Sequence, residues 1–454
     1  MRRHMPESEP VTPISSDNII SATKVGFISN GYNLLSRTIL HKGSFTLANQ
    51  GVVSATNFLT GVAIGRFCTK DQFGLYMLGF SIILFVTDLQ ISLISTPYMI
   101  YSPRLKGSDL RLYNGSSLLH QIVFSVLLIL ALAAWGGYLF FGLGPPGLAP
   151  ILLTLSAVIV FIMMREFIRR FCFANLAMRT SLVFDSLISI LQLSALFLLA
   201  HFGFLSANRT IWIIGCACGF GSAAWLLLYR RSFALRIGQS LIDFKTNWKF
   251  AKWVFASGIL WAVSMNLYPW FLTVFHGTAS AGEWGACLGV LGLVNVPLAG
   301  IQNFIGPKIS NVYAKNGVIE LRSFTFKISM LVGSIMSALC CVLYLFGDPL
   351  MVFLYGAKYT GNGTVVFVLA LSLVAASLAF AFSRGLFALE RADIDFKVNF
   401  VPLLILFTFG IWVVRSHGPL GAAYGLLLAN LAAAAVRFFS FTILTRTSVG
   451  GASG

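Results

Sequence analysis

Charge is scarce in this chain: of 454 residues only 10% are Asp, Glu, Lys or Arg, where soluble domains carry roughly a quarter. So little charge cannot cover a water-facing surface, which excludes a soluble globular fold. Acid is the scarcer sign, with 15 Asp and Glu beside 32 Lys and Arg. A net charge of +17 suits a nucleic-acid binder only when basic residues gather on one soluble face. Here they lie scattered between apolar runs, so nucleic acid is not expected as a partner. The seven cysteines (Cys68, Cys172, Cys216, Cys218, Cys287, Cys340 and Cys341) include no CxxC pair, which removes the common zinc and dithiol patterns. They read as small membrane-packing residues, and neither metal nor cofactor is expected. No phosphate-binding loop of the GxxxxGK type occurs, and no soluble stretch is long enough to hydrolyse a nucleotide. Active transport would therefore draw on an ion gradient, the membrane potential or removal of product. The opening residues, with Pro6, Pro10, Pro13 and the polar run from Ser15 to Asn18, hold no apolar core of leader length, so no cleaved export signal is expected. Three Asn-x-Ser/Thr matches, at Asn114, Asn208 and Asn362, are read as chance.

What the chain does have is apolar length: 57% hydrophobic residues and a mean hydropathy of +0.83. A bilayer core of roughly 30 Å needs about 20 apolar residues per helix. Twelve such runs stand out, near 45–64, 73–93, 122–141, 148–164, 182–200, 211–229, 254–275, 284–304, 324–346, 364–387, 398–414 and 420–441. The expected fold is an all-α polytopic membrane protein with about twelve transmembrane helices. Basic residues favour cytoplasmic loops. With the amino terminus inside, only Arg66, Lys70, Arg209, Lys358 and Arg415 of the 32 fall outside. Both termini are therefore expected in the cytosol and the chain in the cytoplasmic (inner) membrane. Aromatic anchors are expected at the outer edge (Trp135, Tyr138, Trp212, Trp284, Trp412) and the inner edge (Tyr229, Trp248, Trp253).

Residues 19–40 mix apolar positions with Lys24, Asn30 and Arg37, which suits a helix lying on the inner leaflet. The division expected is an amino-terminal segment at 1–44, six helices at 45–230, a basic cytoplasmic linker at 231–253, six more helices at 254–446 and a tail at 447–454. An even number of helices per half preserves direction, so the halves would be parallel repeats. Phe73-Gly74 matches Trp284-Gly285, and Pro97 matches Pro307 with one residue of slippage.

An ionised group at mid-bilayer costs on the order of 3 kcal/mol, so buried charges are candidates for function. Asp88 and Asp185 are two. Amides at Asn57, Asn266 and Asn295 could line a wet passage or simply join helices. Pro269 and Pro297 free a carbonyl each in the seventh and eighth runs and are hinge candidates. Arg66 marks one rim. Arg165, Arg169, Arg170 and Arg384 mark the other, where topology alone accounts for most of them and a phosphate contact is the sharper reading.

Three stretches resemble the Wzx-type polysaccharide flippases of the multidrug/oligosaccharidyl-lipid/polysaccharide exporter superfamily: GRFCTKDQFGLYML at 65–78, REFIRRFCFANLAMRTSLVFD at 165–185 and SRGLFALERADIDFKVN at 383–399. The pattern runs from about Lys42 to Thr445. The resemblance implies a two-lobed fold like that of the MATE exporters, alternating between inward-open and outward-open states. The implied cargo is a polyprenyl-pyrophosphate-linked oligosaccharide, moved from the inner to the outer leaflet, with membrane lipids and polysaccharide polymerase or ligase machinery as partners. The family often places basic residues well inside its helices; this chain has almost none there. A cation-coupled multidrug exporter is the alternative, kept open by Asp88, and a non-transporting scaffold is a second. An enzyme is disfavoured, because the outer loops offer only Lys70 with Asp71, Glu283 or Asp348 for acid-base or metal work.

Overall fold

The computed structural model describes residues 24–142 and 144–450, with side chains for all of these except 24–42, 294–304, 307, 392, 395 and 447–450. The stretch before Lys24 thus lies outside the described residues. Every regular element among those described is helical, as hydrocarbon demands of a backbone that must bond to itself. In order they are α1 (Lys24–Phe67), α2 (Lys70–Gln90), α3 (Thr96–Tyr101), α4 (Gly107–Phe140), α5 (Leu148–Ala174), α6 (Met178–His201), α7 (Ala207–Tyr229), α8 (Ile237–Asn266), α9 (Tyr268–His276), α10 (Thr278–Tyr355), α11 (Gly363–Ala388), α12 (Ala392–Val398), α13 (Phe400–Ile405) and α14 (Ile411–Gly450).

Nine stretches among the described residues are long and apolar enough to cross a membrane. One of them, Phe396–Arg446, breaks at Gly418 (φ 56°, ψ −133°) before Pro419 and so holds two passes. Helix α10 breaks likewise at Gly317 (φ 74°, ψ −169°). Its first half and α1 complete the expected twelve. At 1.5 Å per residue, the 44 residues of α1 exceed one bilayer core, and no break marks the expected start of the span at 45. Helix α8 likewise runs unbroken across 253 and 254, joining the basic linker to the seventh span.

The halves, α1–α7 and α8–α14, are built alike. Helix α5 ends with Leu176 in the left-handed region (φ 53°), and α11 ends with Glu390 there (φ 59°). No other described non-glycine residue has positive φ. Leu176 N donates to Phe173 O and Ala177 N to Cys172 O; Glu390 N donates to Phe387 O and Arg391 N to Leu386 O. These paired bonds cap the last carbonyls and offset the roughly 1–2 kcal/mol cost of a left-handed side-chain-bearing residue. Two of the three stretches that carried the family resemblance are thus one turn, met once in each half. In its register Arg170 and Arg384 are equivalent, each six residues before the left-handed position.

A second correspondence lies where the halves touch. A Cβ on Gly74 would lie 2.6 Å from the Thr278 carbonyl carbon, and one on Gly282 would lie 3.2 Å from the Lys70 carbonyl carbon. The amino-terminal turns of α2 and α10 therefore cross backbone to backbone, each glycine admitting the other helix. The glycine that meets α2 at this crossing is Gly282, three residues before the Gly285 of the sequence correspondence. Trp284 is also not the surface anchor expected: its indole is buried to 2% exposure beside Tyr268.

Proline interrupts two spans. Pro97 has no N–H to give, and the turn before it opens into a π segment, Ile91–Ser95, where Thr96 N reaches back to Ile91 O. Pro269 sits in the first turn of α9, just after α8 has ended at Asn266. The backbone at Pro297 stays helical within α10, and its side chain lies outside those described.

Candidate functional site

The bundle has two unlike ends. Arg165, Arg169, Arg170, Arg384 and the lysines of α8 share one, called here the basic end; Arg66, Lys70 and Lys358 share the opposite one.

At the basic end of the first half, most of the expected site residues meet. Asp185 on α6 is fully buried. Its carboxylate accepts from Arg165 Nε on α5 at 2.9 Å and from Asn49 Nδ2 on α1 at 3.0 Å, and the same amide donates to Ser181 Oγ at 3.2 Å. Arg165 Nη2 lies 2.9 Å from the same carboxylate oxygen, off hydrogen-bond angle. One carboxylate thus ties three helices, and Gln192 extends the seam by donating to Thr60 at 2.9 Å. The residue after Arg165 on α5, Glu166, accepts from Arg169 at 2.5 Å and from Arg170 at 2.7 Å. Asp88 on α2 is half-buried, within Coulombic reach of Glu166, and stands just before the π segment. Gln90 holds α2 to α5 through Met163 O at 2.9 Å.

Asp88, Arg165, Glu166, Arg169, Arg170 and Asp185 thus form a cluster of three positive and three negative side chains. The three arginines read as phosphate ligands are already engaged by carboxylates. Sequence reasoning did not single out Glu166, although its spacing of three and four residues from two arginines on a helix is the pattern for such pairs.

The second half differs at the equivalent turn. The position matching Glu166 is Phe380, and the Arg384 guanidinium lies 4.8 Å over that ring and 5.6 Å over Phe387. Arg384 is exposed, makes no ion pair with a described carboxylate and passes beside Gly306 of α10. It is the charged member of the expected set that keeps its charge uncompensated at the basic end.

Arg66 belongs to the opposite end, where it donates to Phe353 O at 2.5 Å and Leu354 O at 3.4 Å. Lys70 pairs with Glu283 at 2.5 Å, Thr278 Oγ1 donates to Asp71 at 2.6 Å, and Lys358 Nζ donates to the carbonyls of Arg66 and Cys68. With the crossing at Gly74 and Gly282, these contacts seal the halves together at that end. Lys70, Glu283 and the glycines were not singled out as a seal, because only the fold brings residues 66–74 to 278–283 and 353–358.

Asn57 is exposed on α1. Asn266 turns back on its own helix, donating to Ala262 O at 2.9 Å at the break before Pro269. Asn295 lies in α10 with its side chain outside those described. Among the described residues no group of three His, Cys, Asp or Glu could hold a metal ion.

Residues 39–312, more than half of the chain, match the model of the family described as polysaccharide biosynthesis protein. The chain belongs to this family. Its members include the Wzx-type flippases, and the role it supports is that of a membrane transporter rather than an enzyme. No curated protein matches the sequence. Among solved structures, an inward-facing multidrug resistance MATE family transporter of the MOP superfamily superposes with a TM-score of 0.72 at 16% identity, covering 86% of this chain and 94% of its own. An outward-facing MATE transporter gives 0.60 at 14%, covering 90% and 95%. A MOP superfamily transporter from Pyrococcus furiosus, whose binding pocket is described as of reverse polarity, gives 0.62 at 14%, covering 90% and 95%. At such identities the likeness establishes the fold: a polysaccharide biosynthesis family member with the two-bundle, twelve-helix architecture of the MATE transporters.

Proposed function

We propose that the chain is a flippase of the cytoplasmic membrane, with both termini cytosolic, that moves a polyprenyl-pyrophosphate-linked oligosaccharide from the inner to the outer leaflet by alternating access. The basic end is then the cytosolic one. A sugar-pyrophosphate head cannot enter hydrocarbon without replacement of its hydration, so a passage between the bundles has to supply polar and cationic groups.

The observation that carries this reading is the difference between the two equivalent arginines. Arg170 is engaged by Glu166, whereas Arg384 stands free between two aromatic rings. A guanidinium binds phosphate bidentately, and flanking rings offer faces to a sugar. The closed opposite end and the free arginine at the basic end suit a state that receives cargo from the cytosol, in keeping with the closer superposition on the inward-facing relative. Arg165 and Asp185 act in this reading as the brace of the first bundle. Pro269 and the π segment beside Asp88 are the flexing points as the seal opens. The lobe boundaries at 230 and 254 would divide the moving bodies, with α8 as their continuous link.

The test is reconstitution into vesicles with a fluorescent lipid-linked oligosaccharide, followed by leaflet accessibility over time. Protein-dependent transfer, slowed by Arg384→Gln, is the expected result; no transfer of any glycolipid tested would overturn the proposal.

A second reading, cation-coupled export of small molecules, is favoured by the neighbouring carboxylates of Asp88 and Glu166 inside the first bundle. Proton-driven ethidium efflux that Asp88→Asn abolishes, together with absent glycolipid transfer, would establish it instead.

A further inference from the structure

At the basic end a cavity of about 350 Å³ opens inside the first bundle, among α4, α5, α6 and α7. All of its lining belongs to the first half of the chain, and Arg384 is not part of it. Two arginines line it, Arg111 and Arg231, together with the amides Asn114 and Asn175 and the ring of Trp225; no acidic residue does.

The arginines are brought together by the backbone. The segment after α7 folds over the start of α4, where Ala234 N donates to Arg111 O at 2.9 Å and Asn114 Nδ2 donates to Ser232 O at 3.0 Å. Gly115 permits this approach, since a Cβ there would lie 2.7 Å from the Ala234 carbonyl carbon. Both arginines are exposed and line the cavity, and an anion between two cations is favoured.

The floor of the cavity is aromatic. Trp225 is 4% exposed, stacks on Tyr229 at 4.6 Å and meets Phe171 edge-on at 5.1 Å. Cationic side chains without an acidic neighbour in the lining, with aromatic faces beside them, are complementary to an organic phosphate.

We propose that this cavity binds a phosphate-bearing head group, its anionic oxygens between Arg111 and Arg231 and its uncharged part against Trp225 and Tyr229. Such a group can come from an anionic membrane phospholipid or from a soluble sugar phosphate. Basic pockets at the membrane surface of helical proteins take lipid head groups, and the position of the cavity at the end of α7 allows either source to reach it.

The test is calorimetric titration of the full chain, purified in uncharged detergent, with dihexanoyl phosphatidylglycerol, α-glucose 1-phosphate and dihexanoyl phosphatidylcholine. One of the two anionic probes is expected to bind, and its identity tells the lipid source from the soluble one. The variant R111Q/R231Q should weaken that binding at least tenfold, while K245Q/K249Q, which removes the same charge from exposed sites on α8, should leave it unchanged. Because Arg111 and Arg231 are exposed, the double variant is expected to keep the thermal midpoint of the parent, which the same samples report. The proposal is overturned if neither anionic probe binds, if phosphatidylcholine binds as tightly, or if R111Q/R231Q binds like the parent. Equal weakening by K245Q/K249Q would overturn it as well.

Discussion

Replacing Gly74 with alanine should unlatch the opposite end of the protein without unfolding either bundle. The added methyl would sit 2.6 Å from the Thr278 carbonyl carbon, about 1 Å inside the ordinary carbon–carbon separation of roughly 3.5–4.0 Å. The obstacle is backbone, so no rotamer change relieves it and α2 must draw away from α10. Overpacking of this kind costs about 1–3 kcal/mol. Within either bundle that would be a stability loss, but here the strain lies between two bodies that can part. It therefore appears as a shift of about 5- to 150-fold in the ratio of closed to open opposite ends. Gly282→Ala should do the same, with a smaller effect because its nearest backbone carbon would lie 3.2 Å away. Spin labels at Lys70 and Glu283, whose side chains pair at 2.5 Å, would report the separation directly by electron resonance in nanodiscs. The expected trace gains a long-distance population in Gly74→Ala, while the melting midpoint of the parent is kept. An unchanged distance distribution in both glycine variants would refute the seal.

Asp185→Asn leaves the Arg165 guanidinium unpaired in the first bundle and should destabilise the protein by about 3–5 kcal/mol, whereas the apolar double replacement R165M/D185L should recover most of it; thermal unfolding in detergent distinguishes the two. Arg384→Gln should weaken a lipid-pyrophosphate probe by roughly 10- to 100-fold, as expected for loss of charged hydrogen bonds. Arg170→Gln should change the same titration little, because Glu166 already holds that arginine. Glu166→Gln releases Arg169 and Arg170 and should strengthen the probe's binding; weaker binding would show that the carboxylate serves the cargo. Burial holds the Lys358 ammonium below its ordinary pKa of 10.5, with Cys68 opposing and Lys70 adding to the effect. The sealed end thus binds fewer protons than an open one. Closure should strengthen as pH climbs between the lowered value and 10.5 and stay flat below that window. Distance measurements on the same spin-labelled pair would check this trend, which Lys358→Met should abolish.

Much of the architecture was readable before any coordinates, for specific reasons. Apolar length marks membrane helices because lipid excludes loops and edges, and the runs at 148–164 and 182–200 fall inside α5 and α6. Pro269 announced the break between α8 and α9 because a missing N–H acts locally. The helix ends were less legible. Residues 45 and 254 lie inside unbroken helices, since composition changes there but backbone bonding does not. The candidate site was legible as a set of residues and not as a set of partners. Asp185, Arg165, Arg169 and Arg170 were all marked, yet whether an arginine awaits a phosphate or answers a carboxylate depends on which neighbours face it.

By itself the sequence determined the solvent of this protein and its helical class, since these follow from hydrophobic run length. Tertiary structure alone decided that Asp185 answers Arg165, that the turns at Gly74 and Gly282 cross, that Trp284 is buried and that Arg384 meets no carboxylate among the described residues. Those outcomes depend on distances between separate helices, and Coulombic and contact energies are functions of distance in space, which a linear order of residues does not contain.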